Sequence, residues 1–140
     1  MNFLGAPYPI TKHPLGLLRT QGGMNQVKSD LLVLLLTEPG ERIMLPEFGT
    51  PLKQFFFEPN DSTLVDKVKQ VISNSINTWE PRIAVNQIDV TNDESSIGKS
   101  LDLLDNRQDA GHILMIRIIF TDFTDIQKVE ELKLEIPLGG

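Results

Sequence analysis

Four glutamates stand close to aromatic residues or prolines between residues 40 and 82: Glu41, Glu47, Glu58 and Glu80. A glycosidase works with two carboxylates about 5–9 Å apart, one held neutral as an acid and one ionised. Apolar neighbours raise a carboxylate pKa as such an acid requires, so the chemistry to test is cleavage of a cell-wall glycan. Each glutamate has a simpler use, however. Glu80 leads into Pro81-Arg82 and Glu41 adjoins Arg42, so both have an opposite charge close by, and no two glutamates sit at a motif-defined spacing. His13 lies in a proline-rich segment and His112 at the entrance to an apolar run, and neither has metal-ligand spacing around it. The chain has no cysteine, which excludes disulfides, thiolate metal sites and cysteine nucleophiles. Gly22-Gly23 and Gly139-Gly140 lack the strand–loop–helix frame of a phosphate cradle, and the aspartates of residues 92–111 do not follow calcium-loop spacing. The residues predict no enzyme, no cofactor and no metal site.

Binding chemistry is better represented. Arg82 follows a proline, and its planar guanidinium suits bidentate pairing with a carboxylate, while Glu80 accepts in the same way. Pro81 fixes the directions of the two heads at little entropic cost. Phe55, Phe56 and Phe57, with Leu52, make an apolar patch that serves either as the centre of an interface or as core beneath a loop. Residues 129–136 alternate strictly, with Leu132, Leu134 and Ile136 on one face and Glu131, Lys133 and Glu135 on the other. A strand wet on one face belongs at or near a sheet edge, where unpaired amides and carbonyls accept a further strand.

The elements that position these groups follow from periodicity. Residues 1–15 carry Pro7, Pro9 and Pro14 and predict an extended arm. Residues 15–19 predict a short strand closed by the Gly22-Gly23 turn. Val27, Leu31, Leu34 and Leu35 fall at helical spacing within a helix over 24–37, widened by Leu32 and Leu36, with Asn25 as its N-cap and Pro39-Gly40 as its stop. Asn60 or Asp61 caps a second helix over 62–79, whose stripe is Leu64, Val65, Val68, Ile72, Ile76 and Trp79, and Pro81 ends it. Ile83 and Val85 share one parity and Ile88 and Val90 the other, which predicts a bulge near Asn86-Gln87. Residues 92–111 form a long polar excursion. Residues 113–121 read as a central strand covered on both faces, and 123–127 as a turn before the final strand. Two helices followed by a small, mainly antiparallel sheet is an α+β domain. At 140 residues, with 40% hydrophobic residues, the chain is sized for one domain over 1–140. Its net charge of −6 argues against a nucleic-acid surface. Its longest apolar run is too short to span a membrane, and no secretory signal is read at the N-terminus.

One family resemblance gathers these features. The apolar helix leading into Leu36-Thr37-Glu38-Pro39-Gly40-Glu41-Arg42 resembles the opening of the phage baseplate wedge family of sheath initiators. So do Pro46-Glu47-Phe48-Gly49, Phe57-Glu58-Pro59-Asn60-Asp61, and an amphipathic helix ending Trp79-Glu80-Pro81-Arg82-Ile83. That family carries a "lysozyme-like" label and has a relative in type VI secretion baseplates. The resemblance spans residues 16–138 and implies a non-enzymatic structural part, located in the tail baseplate and assembled in the host cytoplasm. It implies that Glu80, Pro81 and Arg82, with Glu47 and Phe48, seat the chain on other wedge proteins around the tail tube. It further implies that the C-terminal sheet is similar to the polymerising domain of tail-sheath subunits. Leu132, Lys133, Leu134, Glu135 and Ile136 would then template the first sheath ring by strand addition. The partners implied are wedge proteins, the tail sheath protein and the tube or hub. The excursion at 92–111 is longer than the family's usual turn. On this reading Arg82→Ala spares the fold and removes docking; the competing reading is a peptidoglycan-degrading glycosidase.

Overall fold

Asp61 sets the start of the longest helix. Its Oδ1 accepts from the Leu64 amide at 2.8 Å, satisfying one of the first-turn donors that a helix leaves unpaired. From there α2 (Ser62–Trp79) buries Leu64, Val68, Ile72 and Ile76 along one stripe, as the spacing predicts. In this computed structural model the described residues are 4–55, 57–58, 61–93, 113–123 and 125–137. Phe56, Asn60, His112 and all of the 92–111 excursion beyond Asp93 lie outside them.

The other helix, α1 (Met24–Leu36), starts at Gly23 with no side-chain cap. Gly23 sits at φ 68, a conformation that favours glycine over the expected Asn25 cap, and Asn25 lies inside the first turn. Val27, Leu31, Leu34 and Leu35 are buried, and Leu36 is exposed. Ahead of it, β1 (Leu4–Gly5) pairs antiparallel with β2 (Gln21–Gly22). Between them the expected strand over 15–19 is replaced by a small turn, with one Lys12–Leu18 bridge and an Arg19 amide to Thr11 carbonyl bond of 3.0 Å. Gly16 and Pro14 favour that turn over a strand.

Three strands complete the fold: β3 (Ile83–Asp93), β4 (Ile113–Asp122) and β5 (Asp125–Pro137), antiparallel in the order β3-β4-β5. The bulge falls where the parity change places it: Val85 pairs with Phe120 and Gln87 with Ile119, which keeps Val85 and Ile88 both on the helix side. The two helices cover one face of the sheet. Leu114, Ile116, Ile118 and Phe120 of β4 meet them there and are almost fully buried. The opposite face carries Met115, Arg117 and Ile119, and Arg117 is exposed. Covering on both faces is therefore not observed; the apolar run of β4 hides a two-residue alternation in which Arg117 marks the open side. The final strand starts at Asp125, four residues before the alternation becomes visible, so the turn over 123–127 shortens.

The phenylalanine patch divides. Leu52 and Phe55 are buried around a short 3-10 turn (Lys53–Phe55), whereas Phe57 is 87% exposed.

Candidate functional site

α2 ends at Trp79, with the Glu80 amide closing the last turn on the Ile76 carbonyl at 2.8 Å. Pro81 then turns the chain into β3, and Arg82 folds back beside the helix end. Its Nε and Nη2 donate to the two carboxylate oxygens of Glu80, and Nη2 also reaches Asp30 Oδ2 of α1 at 2.6 Å. Glu80 is 5% exposed. The Arg82 pKa is raised above its ordinary value, first by the hydrogen bonds to Glu80, against a burial cost, and then by Asp30. The proline turn therefore points Glu80 inward, and the two heads whose directions Pro81 fixes pair with each other. The pair ties the end of α2 to the middle of α1.

Around this cluster is an open groove of about 500 Å³, lined by Asp30, Arg42, Phe48, Trp79, Glu80 and Arg82 among others. Phe48 stands edge-on to Trp79 at 5.3 Å. The Arg42 guanidinium lies 4.0 Å over the Phe48 ring, an arrangement attractive through the ring's negative face. Glu47 is exposed next to Phe48. Thus Glu80, Arg82 and Phe48 come together, with Pro81 and Glu47 adjoining them in the chain. Asp30, Arg42 and Trp79 complete the groove without having been singled out for it. Asp30 had one sequence signal, as the single acid in an otherwise apolar and neutral-to-basic helix, but its partner lies 52 positions away. Gln26 joins them: its Nε2 donates to Asp30 Oδ1 at 2.8 Å and to the Ala6 carbonyl at 3.1 Å. That leaves its Oε1 buried with no hydrogen-bond partner among the described residues.

Three of the four glutamates weighed as acids are engaged in ion pairs, Glu80 with Arg82 as above, and Glu47 is exposed. Glu41 pairs with Lys53 at 2.6 Å and Glu58 with Lys67 at 3.0 Å. Hydrogen bonds from Lys53 and then from the Glu38 amide hold the Glu41 carboxyl below its ordinary pKa, opposite to what a general acid needs. His13 is turned to local use, its Nδ1 accepting from the Leu15 amide at 3.2 Å.

The second predicted surface lies at the far edge of the sheet from β3. Leu132 and Ile136 are buried and Leu134 is half-buried, opposite Ile118, Leu114 and Ile116 of β4. Lys133 and Glu135 face outward, opposite Arg117 and Met115. Among the described residues β5 pairs on one side only. What the edge offers is backbone, since its leucines and isoleucine are committed to the core.

Comparison with known proteins follows from this geometry. Residues 21–110 match the sequence family described as baseplate wedge protein gp25. The baseplate wedge protein gp25 of Enterobacteria phage T4 is 34% identical over 117 residues, which is 81% of this chain and 75% of that protein. A crystal structure from Geobacter sulfurreducens, labelled a tail lysozyme, is similar with a TM-score of 0.67 at 20% identity, covering 84% of this chain and 92% of that one. A chain of the anti-feeding prophage baseplate gives 0.64 at 20% identity, over 99% of this chain and 87% of that one. At these identities the two structures speak for the shared α+β fold.

Proposed function

This chain belongs to the baseplate wedge protein gp25 family, and from that premise we propose that it joins two layers of a contractile machine. It is a baseplate wedge protein that works among other baseplate components. At one end, in this reading, the groove beside Glu80, Pro81 and Arg82 receives a neighbouring wedge protein, with Glu47 and Phe48 at its rim. Glu80 acts there as a positioning residue: by taking both nitrogens of one side of Arg82, it holds the guanidinium at the groove wall. At the other end, the free edge of β5 from Leu132 to Ile136 takes a strand from the first ring of sheath subunits. The observation that carries the reading is the Glu80–Arg82–Asp30 cluster, in which a buried carboxylate fixes Arg82 at the wall of an open groove.

The glycosidase reading has the Geobacter label behind it. Against it, Glu41, Glu58 and Glu80 are each committed to an ion pair within the fold, and the Glu41 carboxyl is held below its ordinary pKa, the reverse of a general acid. Co-expression with the wedge proteins of the same particle tests the proposal. Glu47→Arg with Phe48→Leu should keep the fold and lower recovery of the chain in the wedge complex. Equal recovery would remove the groove from the interface. Peptidoglycan release by the pure chain, lost in Glu80→Gln, would reinstate the enzyme.

A further inference from the structure

The segment between the two helices displays its apolar side chains in an unusual way. Ile43 and Met44 are each 94% exposed and Leu45 is 41% exposed, three apolar residues in a row. Their backbone is closed on itself. The Gly40 amide donates to the Pro46 carbonyl at 2.7 Å, and the Thr50 amide to the Thr37 carbonyl at 2.8 Å, which shuts the loop at its neck. Within it, the Leu45 amide donates to Arg42 and the Phe48 amide to Leu45. Glu41 is clamped by Lys53 at 2.6 Å and accepts from the Glu38 amide at 3.2 Å. Thr50 Oγ1 donates to the Leu34 carbonyl at 3.1 Å and is fully buried. Gly49, at φ 131, lies so close to the Thr37 carbonyl that a Cβ would collide with it. A loop held at this many points does not wander, and its tip nevertheless shows water a contiguous apolar surface. Such surfaces, when contiguous and not scattered, mark interaction sites, and a preformed one binds without the cost of ordering the chain.

The chemistry of the partner is written on the flank of the tip. Arg42 lies flat on Phe48, and among the described residues no carboxylate comes within ion-pair distance of it. Of the loop's own acids, Glu41 is taken by Lys53 and Glu38 by the Lys53 amide, while Glu47 is exposed and not within ion-pair distance of Arg42. A cation held on an aromatic shelf beside an apolar tip asks for a carboxylate beside an apolar hollow. Arg42 and Phe48 also line the groove assigned above to docking, so the tip extends that surface outward.

We propose that Ile43 and Met44 form a preformed knob that enters an apolar pocket on another protein of the assembly, where a carboxylate at the pocket's rim pairs with Arg42. This rests on the docking reading and names a contact that Glu80, Pro81 and Arg82 do not make. Methionine suits the task, because its unbranched, polarizable side chain adapts to an irregular hollow.

The test uses the full chain, tagged and co-expressed with the wedge proteins of its own particle. Ile43→Asp and Met44→Asp alter side chains that touch little of the fold, so thermal melting should not move. Each should lower the amount of chain in the wedge complex by about ten-fold. Arg42→Glu should do the same, Arg42→Lys should fall in between, and Met44→Leu should bind normally. If wild type enters the complex and both aspartate variants enter equally well, the knob is refuted while the docking reading stands. Failure of wild type to enter would overturn the docking reading, and the knob falls with it. Concentration-dependent self-association of wild type, abolished by Met44→Asp, would identify a second copy as the occupant and overturn the proposal as stated.

Discussion

At the scale of single residues, the decisive group is Glu80, a carboxylate whose side chain is 6% exposed and rests on Arg82. Removing one partner of a buried pair leaves an uncompensated charge, which costs more than the pair itself contributes. Arg82→Ala should therefore destabilise the fold by about 3 kcal/mol, read as a lower denaturation midpoint. Arg82→Ala with Glu80→Leu should recover much of that loss. An unchanged midpoint in the single variant would mean that water reaches Glu80 freely. This prediction runs against the expectation that Arg82→Ala spares the fold, because Arg82 is an internal tie as well as a groove wall. Glu41 supports a second prediction, on pH. Its folded pKa is lowered, so its clamp on Lys53 is present above the ordinary glutamate value. It is lost as pH falls through the lowered one; Lys53 stays charged throughout, its own pKa being raised by Glu41, and Glu38 is the other carboxylate nearby. Amide resonances around Glu41 should shift in that acid window, and Lys53→Met should move the midpoint up toward the ordinary glutamate value.

At the scale of elements, the helices were legible because their signals are local. Asp61 caps where an Asx residue precedes an amphipathic run, and Val27, Leu31 and Leu34 repeat at the spacing of a helix face. The bulge was legible for the same reason, since a parity change in β3 is visible within eight residues. Three features were not. Gly23 replaced Asn25 as the start of α1, because backbone conformation outweighed side-chain capping preference. The open face of β4 was hidden within an apolar run, although Arg117 belongs to it. The closure of Arg82 on Asp30 joins two helices' surroundings and leaves no local pattern. Gly5 adds an element-level prediction: a Cβ there would lie 2.6 Å from Gln26 Nε2, so Gly5→Ala should push the Gln26 amide off the Ala6 carbonyl and Asp30 and loosen β1 against α1. Hydrogen exchange of residues 4–6 and 21–22 should then quicken while the three-stranded sheet stays protected. The edge strand requires a similar distinction. Deleting it would strip Leu132 and Ile136 from the core, so loss of function would report only unfolding. Prolines separate the two roles, because neighbouring residues in an antiparallel strand send their amides to opposite sides. Of Lys133→Pro and Leu134→Pro, the one whose amide faces β4 should melt markedly earlier. The other should keep its ladder while closing the free edge, and is the variant to carry into assembly.

At the scale of the whole molecule, the two surfaces proposed for docking and for sheath contact lie at opposite edges of the sheet, near β3 and along β5. Two separated surfaces on one rigid fold predict a particular genetic behaviour. A chain with Met44→Asp should be impaired at the first step, enter the baseplate about ten-fold less, and leave most places to wild-type copies; expressed together with wild type, it should be recessive. A chain whose β5 edge is closed by proline still docks and occupies a place, yet offers no strand to the sheath. Mixed with wild type it should be dominant, with sheathless or partly sheathed particles rising with its share. The double variant should behave as the docking variant alone, because a subunit that rarely arrives seldom obstructs the ring. Counting sheathed and bare tubes by electron microscopy across mixing ratios reads all three. A recessive edge variant that is present in purified baseplates would show that the sheath grows without β5. Dominance of the Met44→Asp variant would show that entry into the baseplate does not pass through the loop.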